Sequence, residues 1–274
     1  MLVIFLTILS VMNNTRIFVG VAAVVAILAG TSYFLMGNRD AGGAPIAPNP
    51  LDGAVGSTST SATIGNATTS KVVIGANIAK PKNFDRPLAF PSSITADIRA
   101  KLQLAFDADV AKIKESNDMN AWGDLAILRK ITEDYQGAVE IFSYISKVYP
   151  GIAGPYASLG DLYASYLKDY VKADANYLKA ISIEPLTVGF YIELHTLYRG
   201  PYQKSATAAE DILKQGIKVN PASYQLQLAL ARYYGSKGKI AEAKLVYDSA
   251  ISIARAQNLA TVVSQIEEEK AALK

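Results

Sequence analysis

The sequence predicts an all-α protein, a stack of helical hairpins carried by a flexible linker on one membrane-spanning helix. Three observations predict it. A short phrase opening on alanine recurs at Ala138, Ala173, Ala209 and Ala243, at intervals of 35, 36 and 34 residues, about the length of one helical hairpin. Residues 17–36 run for twenty positions without a charge. From Gly37 to Pro91, 36 of 55 residues are Gly, Ala, Ser, Thr, Pro or Asn.

Taken in order, residues 1–16 are a short head. Its first eleven residues, MLVIFLTILSV, are apolar but too few to cross a bilayer, and the polar Asn13-Asn14-Thr15-Arg16 interrupts them. Met12 is therefore a candidate for the true start. The stretch IFVGVAAVVAILAGTSYFLM at 17–36 is long enough as a helix, at about 1.5 Å per residue, to span a hydrocarbon core of about 30 Å. A cleaved secretory signal has an apolar region of roughly 7–15 residues ending in small ones. Here the end is Tyr33-Phe34-Leu35-Met36, which favours an uncleaved single-pass anchor, while the small residues near Ala44 and Ala47 leave cleavage open. Arg16 and Arg39 flank the span almost symmetrically; the linker that follows favours a short head inside and the remainder outside the cytoplasm.

The linker, 37–91, holds too little bulk to offset the entropy of folding. As a flexible coil it would hold its ends about 40 Å apart. Val72-Val73-Ile74 offers at most a short strand, and Asn66-Ala67-Thr68 fits a glycosylation acceptor in a host that glycosylates. The segment FDRPLAFP at 84–91 is apolar enough to lie against the first helix of the folded part. That helix belongs to 92–118, with Ser92 or Ser93 as its N-cap. Ile94, Ile98, Leu102, Ala105, Phe106, Val110 and Ile113 recur every three or four residues on one face.

Four hairpins then fill 119–257. Their second helices read AVEIFSYISKVYP (138–150), ADANYLKAISIEP (173–185), AEDILKQGIKVNP (209–221) and AKLVYDSAISIAR (243–255), where Arg255 replaces the closing proline. Their first helices carry a large residue, a small one and an aromatic at helical spacing: Trp122, Leu125 and Ala126; Tyr156, Leu159, Gly160 and Tyr163; Tyr191, Leu194, His195 and Tyr198; Leu230, Ala231 and Tyr234. Small residues let helices approach and large ones fill the space between them, while proline ends each hairpin. A turn is expected near Thr132-Glu133-Asp134, and Ser205 or Thr207 restarts the third hairpin, the latter with Glu210 in capping-box spacing. The polar-faced helix expected over 258–274 closes the stack, with Val262, Val263, Ile266 and Leu273 inward and Glu267, Glu268, Glu269 and Lys270 largely outward.

These phrases resemble the tetratricopeptide repeat family, four repeats over about 119–257. The resemblance implies a right-handed α-α superhelix, a solenoid. Departures are Arg129 where an aromatic is usual, Gln227 where a large apolar residue is usual and His195 where a small one is. Repeat two carries one extra residue between Tyr163 and Ala173, and repeat three carries two in the corresponding place.

Composition narrows the function. With no cysteine, disulfides, thiolate metal sites and a cysteine nucleophile are excluded together. The formal charge is +3, and 119–274 holds 17 Lys/Arg against 16 Asp/Glu, so no basic stripe points to nucleic acid. His195 is the single histidine and lacks partners for metal or proton transfer. Acidic groups such as Asp107/Asp109 fall on faces read as solvated. No Gly-rich phosphate loop follows a strand. No catalytic, cofactor or metal set is therefore assigned, and no small-molecule substrate is expected.

By its offset from the packing residues, the concave face lined by the first helices should present Asn120, Ile127 and Lys130, then Ala157, Asp161 and Ser165. Glu193, Thr196 and Arg199 follow from the third repeat, and Gln225, Leu228 and Arg232 from the fourth. Some relatives grip a peptide's terminal carboxylate there; the corresponding positions here, Gly123, Ile127, Ala157 and Ser158, do not imply that clamp. The mixed groove suits an extended or helical protein segment, with Lys130, Arg199 and Arg232 as anion contacts. The leading expectation is a membrane-anchored, extracytoplasmic scaffold for a protein or peptide partner, with no catalysis. A self-assembling structural component of the cell envelope is the alternative, and an enzyme of unrecognised type a remote one.

Overall fold

Residues 78–273 are described by the structure, a computed structural model. The head, the apolar span, the strand candidate at 72–74 and most of the linker lie outside the described residues. Among the described residues there are ten α-helices and no strand, and no helix is long and apolar enough to cross a membrane. The helices are α1 (Ala96–Ser116), α2 (Met119–Ile131), α3 (Tyr135–Val148), α4 (Ala153–Asp161), α5 (Tyr170–Ile183), α6 (Val188–Arg199), α7 (Ala208–Val219), α8 (Tyr224–Ser236), α9 (Ile240–Ala256) and α10 (Ala260–Ala271). The hairpins are α2/α3, α4/α5, α6/α7 and α8/α9, stacked between α1 and α10 as an all-α helical-repeat solenoid.

Short polar side chains start most of the helices, because a helix's first amides have no partner within it. Asp118 accepts from the Ala121 amide at 2.8 Å, Asp134 from Gly137 at 3.0 Å, Asp169 from Lys172 at 3.1 Å and Ser223 from Leu226 at 3.3 Å. The expected turn at 132–134 is present, with Glu133 in the left-handed region at φ 62°. One expected start moves, and another stands without its capping box. The cap of α1 is Thr95 rather than Ser92 or Ser93, because the Ile94 amide closes a turn onto the Pro91 carbonyl at 3.0 Å and delays the helix. At α7 it is Ser205 that accepts from Ala208, at 3.1 Å, while the Thr207 side chain caps nothing. Glu210 forms no capping box; it accepts from the Tyr234 hydroxyl at 2.9 Å and pairs with Lys214 at 2.6 Å.

The extra residue of repeat two has a definite structural form. Tyr163 and Ala173 are ten apart where Arg129 and Ala138, or Tyr234 and Ala243, are nine apart. The surplus is absorbed by a π-helical turn, Leu162–Leu167, that continues α4 and ends at Lys168 with φ 58°. The two extra residues of repeat three fall in the loop joining α6 to α7, where Lys204 pairs with the buried Asp174 at 2.7 Å. Asp174 also accepts a short hydrogen bond from Tyr198.

Side chains bury into two cores that meet near Leu162. One runs from Leu88 to Leu162 and contains Trp122 and Phe142; the other runs from Ala153 to Ile266 and contains Tyr177, Tyr191 and Tyr247. The small positions are closely filled: a methyl added at Gly160 would lie 2.8 Å from the buried Tyr177 ring. Gly160→Ala should therefore lower stability by ~1 kcal/mol, overpacking of ~1–3 kcal/mol outweighing a helix-propensity gain of ~1 kcal/mol. A fall in the urea midpoint checks this.

The α1/α2 seam holds a carboxyl group that the sequence pattern misassigns. The pattern puts Asp109 on a solvated face; it is buried beside Leu102, Phe106 and Ile113. Burial, with smaller contributions from Asp124 and Asp118, pushes its pKa up to about 7. The folded state thus holds a proton that the unfolded chain releases near pH 4, so the contribution of Asp109 to stability is fully present below about pH 4 and is lost as pH rises towards 7. Asp109→Asn should remove that slope and raise stability at pH 7.5 by about 2 kcal/mol, with little effect at pH 4. Urea titrations of both proteins at the two pH values test it.

At the far end, α10 buries Val263 and Ile266 as expected, but its charged face is not simply solvated. Glu269 receives Arg232 of α8 at 2.8 and 2.5 Å, Lys270 reaches Asp248 of α9 at 2.5 Å, and Glu267 pairs with Arg255. At the near end 84–91 lies against α1 as expected, and the whole of 78–91 forms a strap that also crosses α2 and α3, with Leu88 buried. Arg129, in the place usual for an aromatic, is 1% exposed and donates to the carbonyls of Phe84 (2.9 Å), Pro87 (3.2 Å) and Arg86.

Candidate functional site

The first-helix face is built from α2, α4 with its π-helical turn, α6 and α8. Lys130, in the last turn of α2, crosses to α4 and pairs with Asp161 at 2.5 Å. Asp161 also accepts from the Ser165 hydroxyl at 3.0 Å. Three of the twelve residues assigned to the face from sequence are thus brought together.

The π-helical turn adds what the sequence pattern did not find. It delivers Tyr166, 40% exposed, onto the ring of Tyr135 from α3, with centroids 4.3 Å apart and planes 27° from parallel. Lys130 Nζ lies 5.4 Å from the Tyr166 centroid. The one-residue surplus between Tyr163 and Ala173 was the available signal, because an insertion within a helix rotates the side chains that follow it. The result is a pair of flat aromatic surfaces beside a cation, a carboxylate and a hydroxyl. Such a patch can hold a partner's apolar side chain against the rings while exchanging hydrogen bonds at the rim.

The other assigned residues divide by environment. Asn120, Glu193, Thr196 and Arg199 are exposed, with the Thr196 hydroxyl turned back to the Ile192 carbonyl at 2.9 Å. Ile127 is half-buried against the N-terminal core. Ala157 and Leu228 are buried in the other core and present almost no surface. Gln225 accepts from Ser223 at 3.1 Å in the first turn of α8. Arg232 is engaged by Glu269, so its charge serves the attachment of α10. The face therefore narrows from four repeats to the Lys130–Tyr166 patch, with Arg199 farther along.

His195 is buried, with Nδ1 2.7 Å from the Ala209 carbonyl and its ring edge-on to Tyr233. An acceptor so close fixes the proton on Nδ1. Burial lowers its pKa below the ordinary value and keeps it neutral at pH 7. It joins α6 to α7. Among the described residues no group of three or more potential metal ligands occurs.

The tetratricopeptide repeat family model matches residues 153–185 and 224–257. No curated protein matches the chain. Among solved structures, MamA is similar at 15% identity and a TM-score of 0.48, over 59% of this chain and 94% of that one. A thermophilic tetratricopeptide-repeat protein of Thermus thermophilus is similar at 19% identity and a TM-score of 0.43, over 61% and 91%. Yeast Tom70 is similar at 16% identity and a TM-score of 0.42, over 65% and 45%. The tetratricopeptide repeat model thus falls on the α4/α5 and α8/α9 hairpins of an all-α helical-repeat chain.

Proposed function

We propose that this chain is a membrane-anchored scaffold that binds a protein or peptide partner on its first-helix face and performs no catalysis itself. The observation that carries the reading is the Tyr135–Tyr166 stack beside Lys130 and Asp161. A tyrosine beside a charge is a common arrangement at the centre of a protein contact. The match of two hairpins to a repeat family supports the same reading. The uncharged twenty residues at 17–36 support the anchor, and the linker composition supports a repeat body outside the cytoplasm.

A photo-reactive aromatic placed at Tyr166 of the full-length protein, in its own cells, should yield a discrete adduct. The same probe at Leu245 of α9, 69% exposed, should yield none. With the adduct's partner in hand, Tyr166→Ala combined with Lys130→Glu should weaken binding by about 10- to 100-fold, the range of a small hot spot. Equal adducts at both positions, or unchanged binding by the double variant, would remove the site. Protease protection of a C-terminal tag in intact cells would remove the extracytoplasmic assignment.

A further inference from the structure

The strap at 78–91 is held on the helices by side chains and not by backbone pairing. Its backbone hydrogen bonds to backbone are only its own turns, Arg86 N to Asn83 O at 3.1 Å and Ile94 N to Pro91 O at 3.0 Å; none reaches a helix. Side chains make all the cross-contacts. Arg129 donates to three carbonyls of the strap, those of Phe84, Arg86 and Pro87. Phe84 packs on Trp122 with centroids 4.8 Å apart, and Leu88 is buried. Asp85 pairs with Lys114 at 2.7 Å, and Arg86 pairs with Asp134 at 2.7 Å and Glu140 at 3.5 Å. Alternate charges of the strap thus meet opposite charges on α1 and α3, with an aromatic and a leucine anchored around a fixed guanidinium. A guanidinium that captures backbone carbonyls, with ion pairs and apolar anchors beside it, can recognise a short peptide segment by its sequence.

We propose that the N-terminal end of the stack is a peptide-recognition site for a segment of the pattern Phe-Asp-Arg-Pro-Leu entered by a turn at Asn83, filled in cis by Phe84–Leu88 and open to the same segment in trans. It is separate from the first-helix face and does not rest on that reading. The site lies where the chain upstream of Ile78 joins the repeats, so displacement of the strap would change how the repeat body is attached to whatever precedes it. The link to α1 through Ser92 and Ser93 is exposed, which permits the test.

A protease recognition sequence is inserted between Ser92 and Ser93 of the full-length protein, held in mild detergent, and cut after folding. The cut N-terminal piece should remain bound through gel filtration. A fluorescent synthetic peptide of residues 78–91 in excess should displace it, with a saturable rise in polarisation. A peptide carrying Phe84→Ala and Arg86→Ala should bind at least about tenfold more weakly. Cut protein that keeps its helical circular dichroism but binds neither peptide would overturn the proposal, and so would equal binding of the two. Loss of helical signal on cutting would overturn it as well, since the strap would then be part of the core. None of these outcomes bears on cross-linking at Tyr166.

Discussion

Arg129→Ala should cost about 3–5 kcal/mol and release the N-terminal strap before anything else, the loss expected when a buried charge network is broken from one side. Three carbonyls, of Phe84, Arg86 and Pro87, lose their donor at once. Asp134, 3.4 Å from the guanidinium, keeps Arg86 as its partner only while the strap stays in place. The truncation also leaves a void against the Phe106 ring, over which the guanidinium lies at 5.4 Å. Arg129→Lys should recover only part of the loss, because an ammonium cannot present a planar fork to several acceptors. Hydrogen exchange reads the outcome: protection should fall first in α1 to α3 while α6 to α9 hold theirs. Uniform loss across all ten helices, or a variant as stable as the wild type, would contradict the role given to Arg129.

The same residue shows where the sequence pattern stops being readable. Periodicity locates the hairpins because each core position must be large or small at helical spacing, and Trp122, Leu125, Tyr177 and Tyr191 are all buried where that rule puts them. Arg129 breaks the rule and, in sequence, looks like a local flaw. Its partners lie more than forty residues upstream, in the apolar run 84–91 at the end of the linker, where the sequence predicts packing on the first helix but not the guanidinium that holds it. Composition measures whether a segment can fold by itself; it is silent on whether a few side chains can be captured by a surface formed elsewhere. Asp109 escapes for a related reason. A single polar residue on an otherwise apolar face reads as the edge of that face until the packing neighbour is known.

On the first-helix face, offsets place Lys130, Asp161 and Ser165 together and place Ala157 and Leu228 wrongly at the surface. The offsets assume a regular helix. The one-residue surplus in repeat two is visible as an anomaly of count, yet its consequence, Tyr166 stacked on Tyr135, depends on the insertion forming a π-helical turn rather than a longer loop. In repeat three a surplus of two takes the other course and becomes loop. Arg232 illustrates a different limit: its position on α8 is read correctly, but its partner Glu269 belongs to the closing helix, which the sequence pattern treats as an outward polar face.

Tyr191→Ala should be the mirror image of Arg129→Ala, a loss of about 3–5 kcal/mol concentrated in the C-terminal core. Tyr191 is 0% exposed, and its ring presses on α7 so closely that a methyl at Gly216 would sit 2.9 Å from it. Its hydroxyl donates to the Pro185 carbonyl at 2.9 Å, between two repeats. Tyr191→Phe keeps the ring and should cost only about 1 kcal/mol, because Asn220 still donates to that carbonyl at 3.3 Å. The two cores share a border near Leu162, with Tyr163 packed against both, and stacks of this kind gain stability from each unit and its neighbours. Urea unfolding of Tyr191→Ala should therefore become two-step, with α6 to α10 lost first and the core around Trp122 last. If both variants instead unfold in one step with the same pattern of lost protection, the border at Leu162 has no energetic meaning and the solenoid behaves as a single unit.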